Sequence, residues 1–300
     1  MNRRNFLGFA LTAAGLSASS LLLQGFGFSD LSSAISTATK LTESATKSYD
    51  AVSRALEDIT PKQEYYIGRT IGAIVLSKYK PYDDPSATLY LNQLGQTLSR
   101  FSDLPELYDG YHFMILDSSE INAFATPSGL IFVTRGMLRC CTSEEALAAV
   151  LAHEIGHVQL KHGLQAIEKD RITKATAILA IEGTKNFANS DLASLTTTFE
   201  DSINDITSTM INSGYSRAFE NEADRAAVTI LERVGYSGFG LIEMLRIMKK
   251  KLKPGGMDFA KTHPSPTDRI QNIRNVVTGN GNAAPPASQT QRFNSAIQQV

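Results

Sequence analysis

The sequence predicts a mainly helical α+β domain, and three observations carry that expectation. Segments 143–162 and 216–231 repeat apolar residues at helical spacing. Segment 113–134 alternates as short strands do and contains a Thr-Pro-Ser-Gly turn. Both helical segments also carry polar pairs four residues apart, His153/His157 and Glu220/Asp224, on otherwise apolar faces.

Taken in order, residues 1–30 read as an export signal. Arg3-Arg4-Asn5-Phe6-Leu7 precedes an uncharged run, Gly8 to Phe28, rich in Ala, Gly, Ser and Thr, which is the pattern of twin-arginine export to the periplasm. A Sec signal or an uncleaved N-terminal membrane anchor is the competing reading. Residues 31–60 suit a polar amphipathic helix outside the main domain. That domain spans 61–277, with helices near 62–79 and 85–101, the small sheet, and the helix at 143–162. A Ser/Thr/Asn-rich helical segment, 163–215, suits a lid or hairpin. Then come the 216–231 helix and helices near 238–252 and 266–277, the last capped by Ser265 with Pro266 at its first position. Residues 278–300, with paired prolines and several Gln and Asn, read as a disordered tail.

Composition excludes some classes. A net charge of −1 gives no electrostatic sign of nucleic-acid binding. Beyond the amino terminus nothing approaches 18 uninterrupted apolar residues, so no transmembrane domain is expected in the mature chain. Cys140 and Cys141 are adjacent, which makes them poor disulfide partners, and they read as packing.

The chemistry is written in His153-Glu154-Ile155-Gly156-His157. On a helix the two histidines lie one turn apart on one face, so both imidazoles can converge on one ion. Glu154 points roughly 100° away around the helix. It therefore reads as a general base for a zinc-activated water rather than as a ligand. Thr142 to Glu145 forms a capping-box pattern ahead of this helix.

Two histidines leave a zinc site short of a third protein ligand. Glu220 and Asp224 sit at i and i+4 beside Phe219, Ala223, Ala227 and Ile230. A carboxylate on such a face is costly without a metal or a charged partner. Glu220 therefore reads as the third metal ligand and Asp224 as the acceptor that fixes a ligand histidine's tautomer. Glu222 falls on the opposite face and reads as solvent-facing. The set implies one Zn2+ per chain.

H-E-I-G-H followed by E-N-E-A-D resembles metallopeptidase family forty-eight. Asn122-Ala123-Phe124-Ala125-Thr126-Pro127-Ser128-Gly129, Thr262-His263-Pro264 with Arg269, Glu64 to Gly68, and Tyr90 to Gly95 are similar to further elements of that family. The likeness runs from about Pro61 to Val276. It lacks the membrane spans of the heat-shock and CAAX prenyl protease branches and is nearest to soluble periplasmic members. The resemblance implies a zincin-like (gluzincin) metallopeptidase domain with a small β-sheet beside the active-site helix. It also implies that the strand Asn122 to Ala125 borders the substrate cleft. His263 is expected to face the zinc, either stabilising the oxyanion or closing over the metal as a fourth ligand. Arg269 is expected to hold substrate or neighbouring carboxylates. His112 and His162 carry no assignment.

Two function classes follow. One is a zinc endopeptidase hydrolysing peptide bonds of misfolded or unassembled cell-envelope proteins, alongside membrane-associated assembly machinery. The other is a chaperone-like binding factor whose hydrolysis is secondary or gated by His263. Glu154 favours the first, because a structural zinc site has no need of a base.

Overall fold

Helix α1, Pro61–Lys78, and helix α2, Pro85–Ser99, both begin at proline, whose fixed φ and missing N–H suit a first helical turn. A computed structural model describes residues 61–166, 207, 214–251, 263–278, 284–297 and 300. The segments expected to be an export signal (1–30) and an amphipathic helix (31–60), and most of segment 163–215, lie outside the described residues. Asp84 caps α2 by accepting the Ala87 N–H at 3.0 Å, and Ala87, Tyr90, Leu91, Leu94 and Leu98 then line one buried face.

Three short strands follow: β1, His112–Leu116; β2, Ala123–Ala125; and β3, Leu130–Thr134. Their order is β1-β3-β2, with β1 parallel and β2 antiparallel to β3. The hairpin between β2 and β3 matches the expected strand, turn and strand. Its turn places Ser128 and Gly129 at positive φ, 78° and 82°. Period-two alternation divides the sheet. Phe124 and Phe132 pack with Val75 of α1 on one face, whereas Ala123, Ala125, Ile131 and Val133 join the main core on the other.

That main core is built around α4, Glu144–Gln159, which follows the short α3, Arg135–Cys140. Fourteen residues of α4 are buried, and five of them between 146 and 152 are Ala or Val, so neighbours close in on all sides. Its N-cap is Ser143, whose Oγ accepts the Ala146 N–H at 3.1 Å, and not Thr142 as the capping-box pattern suggests. Glu145 is drawn off instead to accept the Ser237 N–H at 2.9 Å. Packed around α4 are α2, the sheet, α5 (Arg217–Val234) and α6 (Phe239–Lys251), with α7 (Pro266–Ile273) lying across α5 and α6. Ser216 caps α5 at its start, and Gly235, at φ 95°, ends it in the left-handed conformation that glycine adopts without strain. Among the described residues no helix is long and apolar enough to cross a membrane.

The carboxyl-terminal segment differs from expectation. Residues 287–297 form a helix, α8, whose Phe293 and Ile297 are buried in the main core together with Val300. A polar, proline-bearing composition suggested disorder, but two apolar residues one turn apart suffice to dock a helix when a groove is ready for them. The dock is also ionic. Glu144, 2 % exposed at the first turn of α4, accepts hydrogen bonds from Tyr90 Oη at 2.8 Å, Tyr236 Oη at 2.7 Å and the guanidinium of Arg292 on α8.

Arg292→Ala should therefore lower stability by about 1–2 kcal/mol, because Glu144 keeps its two tyrosines and the arginine is half exposed. Urea denaturation of the two proteins measures this, and an unchanged midpoint would show that α8 is docked by its apolar residues alone.

Candidate metal centre

The site exists because α4 and α5 touch. A Cβ built on Gly156 would lie 2.9 Å from the Ala223 carbonyl oxygen and 3.2 Å from the Ala226 Cβ, so glycine is what lets the two backbones meet. One turn before Ala223, Glu220 then falls opposite both histidines. His153 Nε2 and His157 Nε2 are 3.1 Å apart, and the Glu220 oxygens lie 3.5 Å and 3.4 Å from them. Donors 2.0–2.1 Å from a tetrahedral zinc ion must sit about 3.3 Å from one another, so these separations fit the ion. His263 completes the group, with Nδ1 2.7 Å from Glu220 Oε2. One ligand atom from each of the four residues lies within 4.8 Å of the others, and all four residues are buried. Glu220 is fully buried, yet its Oε1 has no hydrogen-bond partner among the described residues. A buried anionic oxygen left in that way is expected to face a cation.

Tautomers follow from the outer contacts. Asp224 Oδ1 lies 3.0 Å from His153 Nδ1, so the neutral ring that binds a metal would keep its proton there and offer the Nε2 lone pair. Arg269 holds Asp224 in turn through Nε to Oδ2 at 2.9 Å and Nη2 to Oδ1 at 2.6 Å, a bidentate pair. Of the two roles expected for Arg269, holding neighbouring carboxylates fits this geometry. Contact with substrate does not, because Arg269 is 1 % exposed and faces inward. Glu154 stands apart from the four donors, 1 % exposed, with no hydrogen-bond partner on Oε1 among the described residues.

Electrostatics separate the roles. Burial raises the Glu154 carboxyl to about 7, reinforced by the Glu220 charge and opposed by His153, Arg269 and the Ala125 N–H. Burial and Arg269 disfavour a charge on His153, but its hydrogen bonds to Asp224 and Glu220 prevail and hold it at about 9. Burial takes His157 down to about 3 against the pull of Glu220. Burial alone would raise Glu220, but His263, His153 and His157 hold it well below the usual carboxylate range, so it is an anion. Two buried anions thus face one imidazolium and one guanidinium, and an incoming metal ion would displace the proton.

The predicted cleft strand is placed differently from residue to residue. The β2–β3 ladder uses Asn122 and Thr126, as the Thr134 N–H to Asn122 O bond at 3.0 Å and the Thr126 N–H to Leu130 O bond at 2.9 Å show. Alternation then turns the backbone groups of Ala123 and Ala125 off the ladder, toward Glu154 in the case of Ala125. The Asn122 side chain is buried and accepts the Ala123 N–H, and Phe124 packs on the far face, so neither side chain faces the centre.

Two residues at the centre had no role in the sequence reading. Tyr215 stacks on the His157 ring, 4.6 Å between centroids at 25°, and lines a narrow cleft with Ala125, Pro127 and Lys161. His162 Nδ1 lies 2.9 Å from His157 Nδ1. The only sequence signal for His162 was a third histidine five residues beyond His157, a spacing that no straight helix brings to one face.

Against this geometry, residues 85–277 match Peptidase family M48 along their whole length. The chain belongs to that family. This M48 chain is 28 % identical over 218 residues to the β-barrel assembly-enhancing protease of Escherichia coli K12, a match covering 71 % of this chain and 42 % of that protein. It is 27 % identical over 229 residues to the mitochondrial metalloendopeptidase OMA1 of Schizosaccharomyces pombe, covering 73 % and 63 %, and 29 % identical over 166 residues to the metalloprotease YcaL of E. coli, covering 55 % and 62 %. The matched part thus spans about two fifths of the first of these relatives.

A raised carboxyl pKa stabilises a fold only while the group is protonated. The Glu154 contribution is complete below 4.5 and lost as pH rises through about 7. Metal-free Glu154→Gln should therefore stay within about 1 kcal/mol of the wild type near pH ~5 and exceed it by up to about 3 kcal/mol near pH ~8. Urea denaturation at the two pH values measures the difference. A gap that does not widen with pH would contradict the buried-carboxyl assignment.

Proposed function

We propose that this chain is a zinc endopeptidase acting on misfolded or unassembled proteins of the cell envelope. The observation that carries the reading is the convergence of His153, His157 and Glu220, with Glu154 buried beside them as a separate carboxyl group raised to about 7. His153, His157 and Glu220 would hold the zinc, and Asp224 with Arg269 would fix the His153 ring. When bound, the ion supplies Lewis-acid polarisation of the peptide carbonyl and lowers the pKa of water. The rest falls to the protein. Glu154, poised near neutrality, accepts the proton of the attacking water and delivers it to the leaving nitrogen. With the Ala123 N–H held by Asn122 and the Ala125 N–H turned to Glu154, a substrate backbone along this edge would donate to its main-chain carbonyls, contacts that depend little on side-chain identity and so suit unfolded polypeptides.

The envelope assignment rests on two supports. The amino-terminal pattern suits twin-arginine export to the periplasm, with an uncleaved anchor as the variant. The name of one relative refers to β-barrel assembly, which suits a role alongside membrane-associated assembly machinery.

A second reading is favoured by one contact. His263, 7 % exposed and hydrogen-bonded to Glu220, lies within the donor group and would close over the metal as a fourth ligand. In that state the protein would bind a partner without cleaving it, a chaperone-like role in which movement of the His263 loop gates hydrolysis.

Three variants test these readings with unfolded casein as substrate. Glu154→Gln should retain one zinc per chain and lose at least about 100-fold in hydrolysis, the order expected for a general base. Glu220→Ala should lose the zinc itself. His263→Ala should cleave several-fold faster than wild type. Slower cleavage by His263→Ala would instead assign that histidine to the oxyanion. Equal inertness of wild type and Glu154→Gln, with both suppressing aggregation, would replace the protease by the binding factor.

A further inference from the structure

The two histidines of the centre are supported unequally. His153 donates directly to a buried carboxylate, Asp224, which is itself clamped by Arg269. His157 meets another imidazole: its Nδ1 is 2.9 Å from His162 Nδ1, and His162 Nε2 is 3.2 Å from Glu222 Oε2. We propose that His162 and Glu222 form a positioning relay that fixes the Nδ1 proton of His157 and sets the affinity of the centre for zinc. The proposal rests on the zinc reading of His153, His157 and Glu220.

The proton arrangement allows one solution. For His157 Nε2 to offer its lone pair to the ion, the ring proton must sit on Nδ1. That N–H can donate only if His162 Nδ1 is unprotonated. The His162 proton then sits on Nε2, which faces a carboxylate, a group that only accepts when ionised. Every donor meets an acceptor, and the line ends at Glu222, whose side chain is 55 % exposed.

The chain is shaped to make this contact. After the C-cap of α4 at Leu160, Lys161 takes φ 54°, the left-handed region that a residue with a side chain rarely enters. That turn reverses the backbone and carries His162 back under the helix it has just left. The ring is then fully buried and stacks on Phe219 at 4.3 Å and 4° between planes. Phe219 and Glu222 both belong to α5, so the helix that supplies Glu220 also holds the relay. The consequence is an asymmetric centre, with one histidine anchored to a buried anion and the other to a neutral ring backed by an anion in contact with water. An outer partner of this kind affects metal affinity by about 10- to 100-fold when removed.

The experiment titrates chelator-stripped full-length protein with zinc in competition with a chromophoric chelator. His162→Leu, which removes the acceptor but keeps an apolar side chain against Phe219, should weaken zinc binding by about 10- to 100-fold. His162→Asn, which restores an acceptor oxygen, should recover at least part of that loss. Glu222→Gln lies on an exposed face, keeps the fold, and should weaken binding several-fold. Thermal melting of the metal-free forms identifies any variant whose loss comes from folding. Nitrogen-15 spectra of the zinc-loaded wild type supply a readout that mere packing would not move, with His162 expected as the Nε2–H tautomer. The Nδ1–H tautomer at His162, or wild-type affinity in both His162→Leu and Glu222→Gln, overturns the relay while leaving the zinc centre in place. Failure of the wild type to bind one zinc overturns the centre itself and the relay with it.

Discussion

The close contact of α4 and α5 at Gly156 is the constraint on which the centre depends. Two imidazoles at i and i+4 can be placed by one helix, because a turn of helix sets their separation. The third donor cannot, since a carboxylate on the same helix at the required distance would have to occupy a position that the histidines already fill. A second helix must therefore approach until its own backbone is in contact, and only a residue without Cβ allows that here. Ala223, opposite Gly156, extends the logic from the other side. It is the small residue between Glu220 and Asp224, so the two acids flank the contact and reach His153 from either end.

Such a cluster is costly to bury, and the surroundings show how that cost is offset. Asp224 and Glu220 are both wholly buried, and each is met by more than one donor. Arg269 neutralises Asp224 in a bidentate pair and lies 4.0 Å from Glu220. Removing one member of such a set leaves the others charged and unscreened, which is why buried pairs are more damaging to break than valuable to form. Glu154 is handled in the opposite way. It is given no cation of its own and is raised toward neutrality, the condition a proton-transfer group needs and a ligand does not.

What the sequence made legible was set by distance along the chain. His153 with His157, and Glu220 with Asp224, are pairs within one helix, where spacing alone fixes the face. The β2–β3 hairpin was legible for the same reason, because its turn chemistry is local. The parallel pairing of β1 with β3 was not, since register between strands that are not joined directly is decided by packing on both faces. His162 was hidden by the left-handed turn at Lys161, which no propensity anticipates in a lysine. Helix α8 was hidden because its docking site is a tertiary product of α2, α4 and the loop carrying Tyr236, and composition averages carry no information about a waiting groove. Arg269 was legible only through the family resemblance, which implied a hold on substrate or on neighbouring carboxylates; spacing could not name Asp224, its partner 45 positions away.

The hairpin and the helix together explain why so small a sheet suffices. β2 has three residues and pairs on one side only, which by itself would be a marginal element. Phe124 and Phe132, 5.4 Å apart between ring centroids, anchor it under α1, so its stability is drawn from the face away from the centre. The opposite face can then carry alanines, 123 and 125, which add little packing but let the strand lie close against α4. Larger residues there would hold the strand back and lengthen the reach from Ala125 to Glu154. A short edge strand with its bulk on one face and its backbone turned toward a buried carboxyl group, Glu154, is thus a consequence of where the two phenylalanines sit.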